Sequence, residues 1–116
     1  MITQDIERSR IYCLNEIIEY ELNSVVIKTI VRKATGNICI IAVDVDEILS
    51  EKISPFDTFI QIIDGTANIF IDTKLNILKA GQGIIIPAHI SNTIKANQRF
   101  KMISTVIKSG YDEILI

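Results

Sequence analysis

One imidazole, His89, stands in the segment GQGIIIPAHISN, residues 81–92, and it is the single histidine of this 116-residue chain. An unperturbed imidazole titrates near neutrality and can act as a general base, a substrate contact or a metal ligand. Nothing near it in sequence would orient it as the members of a catalytic triad orient one another. The structural reading, a loop histidine that is solvated or hydrogen-bonded, therefore stands beside the functional one. The other chemistry-bearing types are sparse. Cys13 and Cys39 form no CxxC pair and cannot complete a zinc set; Cys39 sits in an apolar run and reads as a small core residue. Gly81-Gln82-Gly83 lacks the third glycine and the following helix of a dinucleotide-binding turn. Asp44, Asp46 and Glu47 cluster at the end of an apolar run and read as a solvated turn rather than a calcium loop. Asp57 and Asp64 could flank a cleft as paired carboxylates, although Asp64 also has the character of a turn residue. No metal and no cofactor is expected from this inventory.

The charge balance excludes other classes. With 12 basic and 14 acidic residues the formal net charge is -2, and the densest basic group, Lys28, Arg32 and Lys33, has no interleaved aromatics. A nucleic-acid or anionic-membrane surface needs clustered positive charge, so neither partner is expected. No apolar run approaches the roughly 20 residues that span a bilayer. No secretory signal opens the chain, and two unpaired thiols suit a reducing compartment, so a cytoplasmic location is expected.

The elements that would carry these residues read as strands. The segment 1–23 is more polar, a short helix or an arm that docks, with Ile17, Ile18 and Tyr20 available to pack. From Ser24 onward, SVVIKTIVRKA breaks at Thr35-Gly36-Asn37, ICIIAVDV follows, and DEILSEKIS leads to Pro55. TFIQII and TANIFID flank Asp64-Gly65, a strong hairpin signal because glycine supplies the positive φ of a tight turn. Asp72, Thr73, Lys74 and Asn76 mark another turn. NILKAGQG, IIIPA, NTIKAN and RFKMISTVIK continue the pattern, and SGYDEILI, residues 109–116, is a separate tail. Short strands with regularly spaced turns predict an all-β sandwich or barrel over residues 24–108. ICIIAV and GIIIPA are apolar on both faces, so something must cover the second face: a partner subunit, or a swapped or docked N-terminal segment.

The phrases PFDTFIQIIDG, LKAGQGIIIPA and RFKMISTVI, with five residues between Gly81 and Pro87, resemble the small conserved-barrel cupins. The resemblance spans most of the chain and implies a jelly-roll β-barrel, often a homodimer. It also implies a metal site of two histidines one residue apart, a glutamate four residues on, and a third histidine after the second-motif proline. Laid on this sequence, those positions fall on Lys52, Ser54, Thr58 and Asn92, so all four are substituted, and His89 falls where the family more often has glycine. Such a chain is expected to be a metal-independent binding or regulatory protein rather than a metal-dependent enzyme. The candidate pocket is Lys52, Ser54, Thr58, Asn92 and His89, with a small anion held by Lys52. The rival readings are an isomerase- or dioxygenase-like enzyme and an interaction module whose barrel is filled.

Overall fold

The computed structural model describes residues 6–51 and 53–108. Eight strands follow a short 3-10 turn at Leu14–Glu16: β1 (Val25–Lys33), β2 (Gly36–Val43), β3 (Ile48–Glu51), β4 (Thr58–Ile71), β5 (Lys74–Lys79), β6 (Gly83–Ile86), β7 (Asn92–Lys95) and β8 (Phe100–Ile107). Their isoleucine-rich, β-branched composition suits the pleated, half-buried environment that strands provide. All strand pairs are antiparallel and form two faces. The larger sheet has the order β1-β2-β8-β4-β6, and the smaller has β3-β7-β4-β5. The expected all-β jelly-roll barrel is the observed architecture.

β4 belongs to both sheets and closes the barrel. Its first half pairs with β6 and β8, and its second half, from Thr66, pairs with β5 and β7. The corner between them corrects the sequence reading. Asp64-Gly65 is not the turn of a hairpin but an irregularity within one continuous 14-residue strand, where the register with β8 slips between Ile62 and Asp64. Gly65 has φ +75°, and a Cβ there would overlap the carbonyl oxygen of Arg99. Glycine is needed because the chain turns a barrel corner against another strand. The tight hairpin lies one turn later, at Asp72-Thr73, where Ile71 faces Lys74 and Asp72 takes φ +56°.

Alternation along the strands sends one set of side chains inward. Ile41, Ile60 and Met102 from the large sheet meet Ile69, Leu78 and Ile94 from the small one in a single core. Each fully buried side chain of this size contributes roughly 1.5–3 kcal/mol. The opposite face of the large sheet carries a second cluster, Ile40, Ala42 and Ile103, covered by Ile17, Ile18 and Tyr20 of the N-terminal segment. That segment is an arm docked on its own chain, and it explains why β2 is apolar on both faces. Among the described residues no helix is long and apolar enough to cross a membrane.

Candidate functional site

A cavity of about 310 Å³ opens at one end of the barrel. Cross-strand register builds its walls in rows. Asn37 of β2, Val106 of β8, Thr58 of β4 and Ile86 of β6 lie side by side at the mouth. Cys39, Ser104 and Ile60 form the next row down. Asn92, the first residue of β7, contributes from the small sheet with Ile94 below it. Ser54 and Phe56 from the β3–β4 loop, with Pro87 and Ile90 from the β6–β7 loop, frame the opening.

The structure thus brings Ser54, Thr58 and Asn92 into one cavity, as their positions in the sequence pattern suggested. Ser54 Oγ accepts a hydrogen bond from the Phe56 amide at 3.0 Å, which fixes the loop after β3. Asn92 differs from its neighbours: its Oδ1 is buried and has no hydrogen-bond partner. His89 stands apart. It is exposed and does not line the cavity, although Pro87 and Ile90 beside it do. Its backbone amide donates to Ser54 O at 2.7 Å, and its φ of +66° is the left-handed conformation that glycine adopts most easily. That conformation gives a physical reason for glycine at this place in related barrels. Lys52 lies outside the described residues. Lys108, which sequence reasoning left at the edge of the tail, lines the cavity. Counting inward-facing positions along β8 (102, 104, 106) would have found it.

A second polar constellation sits on the far side of the large sheet, under the N-terminal arm. The Tyr20 hydroxyl donates to Asp64 Oδ2 at 2.6 Å. The Arg99 guanidinium and the Lys101 ammonium lie 5.0 and 4.9 Å from the centre of the Tyr20 ring. Lys101 Nζ also donates to Asn15 O at 2.6 Å, and Arg99 Nε donates to Asp44 Oδ1 at 2.7 Å. Asp44 Oδ2 accepts from the Asn23 amide at 2.7 Å. Asp44 is therefore not the solvated turn residue its sequence context suggested: it is only 1 % exposed and ties the arm to the barrel. The Arg99 hydrogen bond, helped by the Asn23 amide, holds its carboxyl below the ordinary value. Burial, then the hydrogen bond to Asp64, pushes the Tyr20 hydroxyl up. Asp57 does not pair with Asp64 either; its Oδ1 accepts from the Ala88 amide at 2.7 Å and holds the loop after β6.

A more open cleft of about 430 Å³ runs between Leu14 and Asn15 of the arm and Phe59, Gln61 and Gly81–Gly83. It is larger than the barrel cavity but has no charged group and no unpaired buried atom in its lining, so the barrel cavity is the stronger candidate.

The barrel has close relatives among solved structures. A conserved protein of unknown function from Streptococcus pyogenes superposes with a TM-score of 0.86 at 25% identity, over 96% of this chain and 97% of that one. A cupin superfamily protein from Desulfitobacterium hafniense gives 0.84 at 24% identity, over 94% and 100%. A Cupin 2 conserved barrel domain protein from Leptotrichia buccalis gives 0.80 at 28% identity, over 84% of this chain and 47% of that one. Neither a protein-family model nor a curated protein matches the sequence. Strand order, the β4 corner and these superpositions together show that the chain has the barrel fold of these cupin superfamily structures.

Proposed function

We propose that the barrel cavity is a metal-independent binding site for a small, largely aliphatic molecule. The observation that carries this reading is the cavity itself, about 310 Å³ with mostly apolar walls and the polar side chains of Asn37, Ser54, Thr58 and Ser104 in its lining. The mixture of hydrocarbon walls with a few convergent polar groups is typical of small-molecule sites. The cavity also speaks against the filled barrel of a purely structural module.

The residues at the superfamily's metal positions do not fit a transition metal. Ser54 and Thr58 offer neutral hydroxyls and Asn92 an amide, where such metals take imidazole, thiolate or carboxylate donors. Cys39 places one thiol in the lining, and no other described lining residue is a histidine, cysteine or carboxylate. Elemental analysis of protein purified without a metal-affinity tag is expected to find no stoichiometric zinc, iron, manganese or nickel.

Saturation-transfer NMR with straight-chain alcohols from butan-1-ol to hexan-1-ol tests the binding site. Wild type should bind them, and Ser104→Leu, which fills the second row of the cavity, should not. Equal signals in both proteins, or none in wild type, would remove the reading.

We also infer that the chain forms a homodimer, in keeping with a role in the reducing cytoplasm where Cys13 and Cys39 stay free. The arm leaves a strip of the large sheet's outer face uncovered. Phe59 and Ile85, paired across β4 and β6, are 41% and 58% exposed, and Ile107 is 70% exposed. With Thr105 beside Phe59 the strip is uncharged across adjacent strands, so it complements a second copy of itself about a two-fold axis. Light scattering at micromolar concentration should give twice the one-chain mass, falling to one chain in Phe59→Lys. A single-chain mass for wild type overturns the dimer.

A further inference from the structure

We propose that the barrel cavity takes an uncharged aliphatic diol, whose adjacent hydroxyls meet a polar wall on the large sheet. This rests on the reading of the cavity as a binding site and names the chemistry that site selects. Asn37 of β2, Thr58 of β4 and Ser104 of β8 line the cavity, and all three belong to the large sheet. Asn37 and Thr58 both pair with Val106, and Ser104 sits two positions before Val106 on β8. The three therefore form a triangle. At a strand spacing of about 4.8 Å and a rise of about 3.4 Å per residue, each upper corner lies roughly 8 Å from Ser104 along the sheet. Their side chains reach into the same cavity, so two neighbouring hydroxyls of a ligand can meet Ser104 and an upper corner together. The loops and the small sheet add Phe56, Pro87, Ile90 and Ile94, which give the remaining space a hydrocarbon character.

The polar wall lacks partners. The side chains of Asn37, Thr58 and Ser104 form no hydrogen bond with a described residue, and, unlike the enclosed Asn92 Oδ1, their polar atoms stay open to solvent. Ser54 differs, since its Oγ already receives the Phe56 amide. A purely hydrocarbon ligand would strip water from the wall and return nothing, and a single hydroxyl would leave part of it unpaired. All three side chains can both donate and accept, which is what a hydroxyl also does. Charge is disfavoured. Lys108 is the one charged residue in the described lining, and it lies beyond the mouth row, two residues past Val106. A carboxylate or ammonium set against Ser104 would lose its water without gaining a counter-charge. The volume of about 310 Å³ is at the low end for small-molecule sites, so the hydrocarbon body must be short.

Isothermal titration with four matched probes separates these demands: hexane-1,2-diol, hexane-1,6-diol, hexan-1-ol and hexanoate. Wild type is expected to bind hexane-1,2-diol about 10-fold more tightly than hexan-1-ol, because the second hydroxyl pairs a group that the mono-alcohol leaves bare. The isomeric 1,6-diol should gain nothing over hexan-1-ol, since its far hydroxyl meets hydrocarbon, and hexanoate should be weakest. The double variant Thr58→Val with Ser104→Ala should bind hexane-1,2-diol no better than hexan-1-ol. Its retained affinity for hexan-1-ol shows that the cavity is intact. Should the double variant bind neither, the single variants Thr58→Val and Ser104→Ala take its place, each losing part of the preference. If hexan-1-ol binds and the second hydroxyl adds nothing, or hexanoate binds best, the ligand class is wrong while the binding site stands. A 1,2-diol preference kept in the double variant overturns the assignment to the polar wall. If no probe binds wild type, both the ligand class and the site fall.

Discussion

The two polar constellations lie on opposite faces of the same sheet, and they differ in how completely their atoms are paired. Under the N-terminal arm, Asp44 receives Arg99 on one oxygen and the Asn23 amide on the other, Tyr20 meets Asp64, and Lys101 meets Asn15 O. At the barrel mouth, Asn92 Oδ1 has nothing to bond and Lys108 has no described carboxylate to face. Both sets are built from ordinary surface-type residues, so composition does not distinguish them. Pairing does: saturated polar groups between two packed layers hold the layers together, whereas an unsaturated buried one is a standing cost to the fold. On the proposed reading the arm cluster serves stability and the mouth recognition, and substitutions should separate the two.

The most severe break comes at Gly65, where β4 leaves the large sheet beside the arm's Asp64 anchor. Alanine there would take a left-handed backbone and overlap the Arg99 carbonyl. Strain and displacement of β8 should cost ~3 kcal/mol or more. Gly65→Ala is expected to be insoluble or to lack a cooperative thermal transition; a melting temperature near wild type would mean the corner tolerates a side chain and that our account of it is wrong.

Next in size is Asp44→Asn, which keeps the shape but weakens the charge-assisted bond from Arg99. Its folded-state carboxyl is held below the ordinary 3.8. The charged form therefore adds stability that is present above that value and lost as pH falls through the lower folded one. Denaturant titrations should show Asp44→Asn less stable than wild type at pH 7 and closer to it at pH 2 to 3. A difference that stays constant across this range would mean the charge of Asp44 contributes nothing. Tyr20→Phe is milder, about 1 kcal/mol for the loss of one part-buried side-chain hydrogen bond. Because the Tyr20 hydroxyl is raised in the folded state, its contribution is complete below the unfolded value near 10 and declines as pH rises past it. Wild type should thus lose stability in the alkaline range faster than Tyr20→Phe, and parallel alkaline limbs would contradict this.

The division between the two regions also explains what the sequence could show. The strands were legible because β-branched runs and turn residues are local signals. Asp64-Gly65 looked like a hairpin because that dipeptide has the same conformational freedom in a bulge as in a turn; only the contact with Arg99 on another strand decides between them. Ser54, Thr58 and Asn92 were found because a motif spacing carries their register into the barrel. The arm cluster was not, since Tyr20 and Asp64 are 44 residues apart, Asp44 and Arg99 are 55 apart, and Asn15 and Lys101 are 86 apart. Asp44 read as solvent-exposed because it sits in a short acidic cluster with Asp46 and Glu47; its burial depends on an arginine brought close by the fold.

The smallest effect expected has the opposite sign and therefore tests the comparison most sharply. Asn92 and Asn76 are the same residue type, each partly buried on a strand of the small sheet. Asn76 Nδ2 donates to Ile69 O at 3.4 Å and Lys74 O at 3.2 Å, whereas Asn92 Oδ1 is unpaired. Truncating a paired amide loses its bonds, so Asn76→Ala should destabilise by about 0.5–1 kcal/mol. Replacing Asn92 by leucine removes an unsatisfied acceptor and adds hydrocarbon at the edge of the cavity, so Asn92→Leu should stabilise by up to about 1 kcal/mol. Urea denaturation of both variants, without ligand, decides the matter. If Asn92→Leu is destabilised as much as Asn76→Ala, the amide at the barrel mouth already has a partner in solution, and the mouth is as fully paired as the arm.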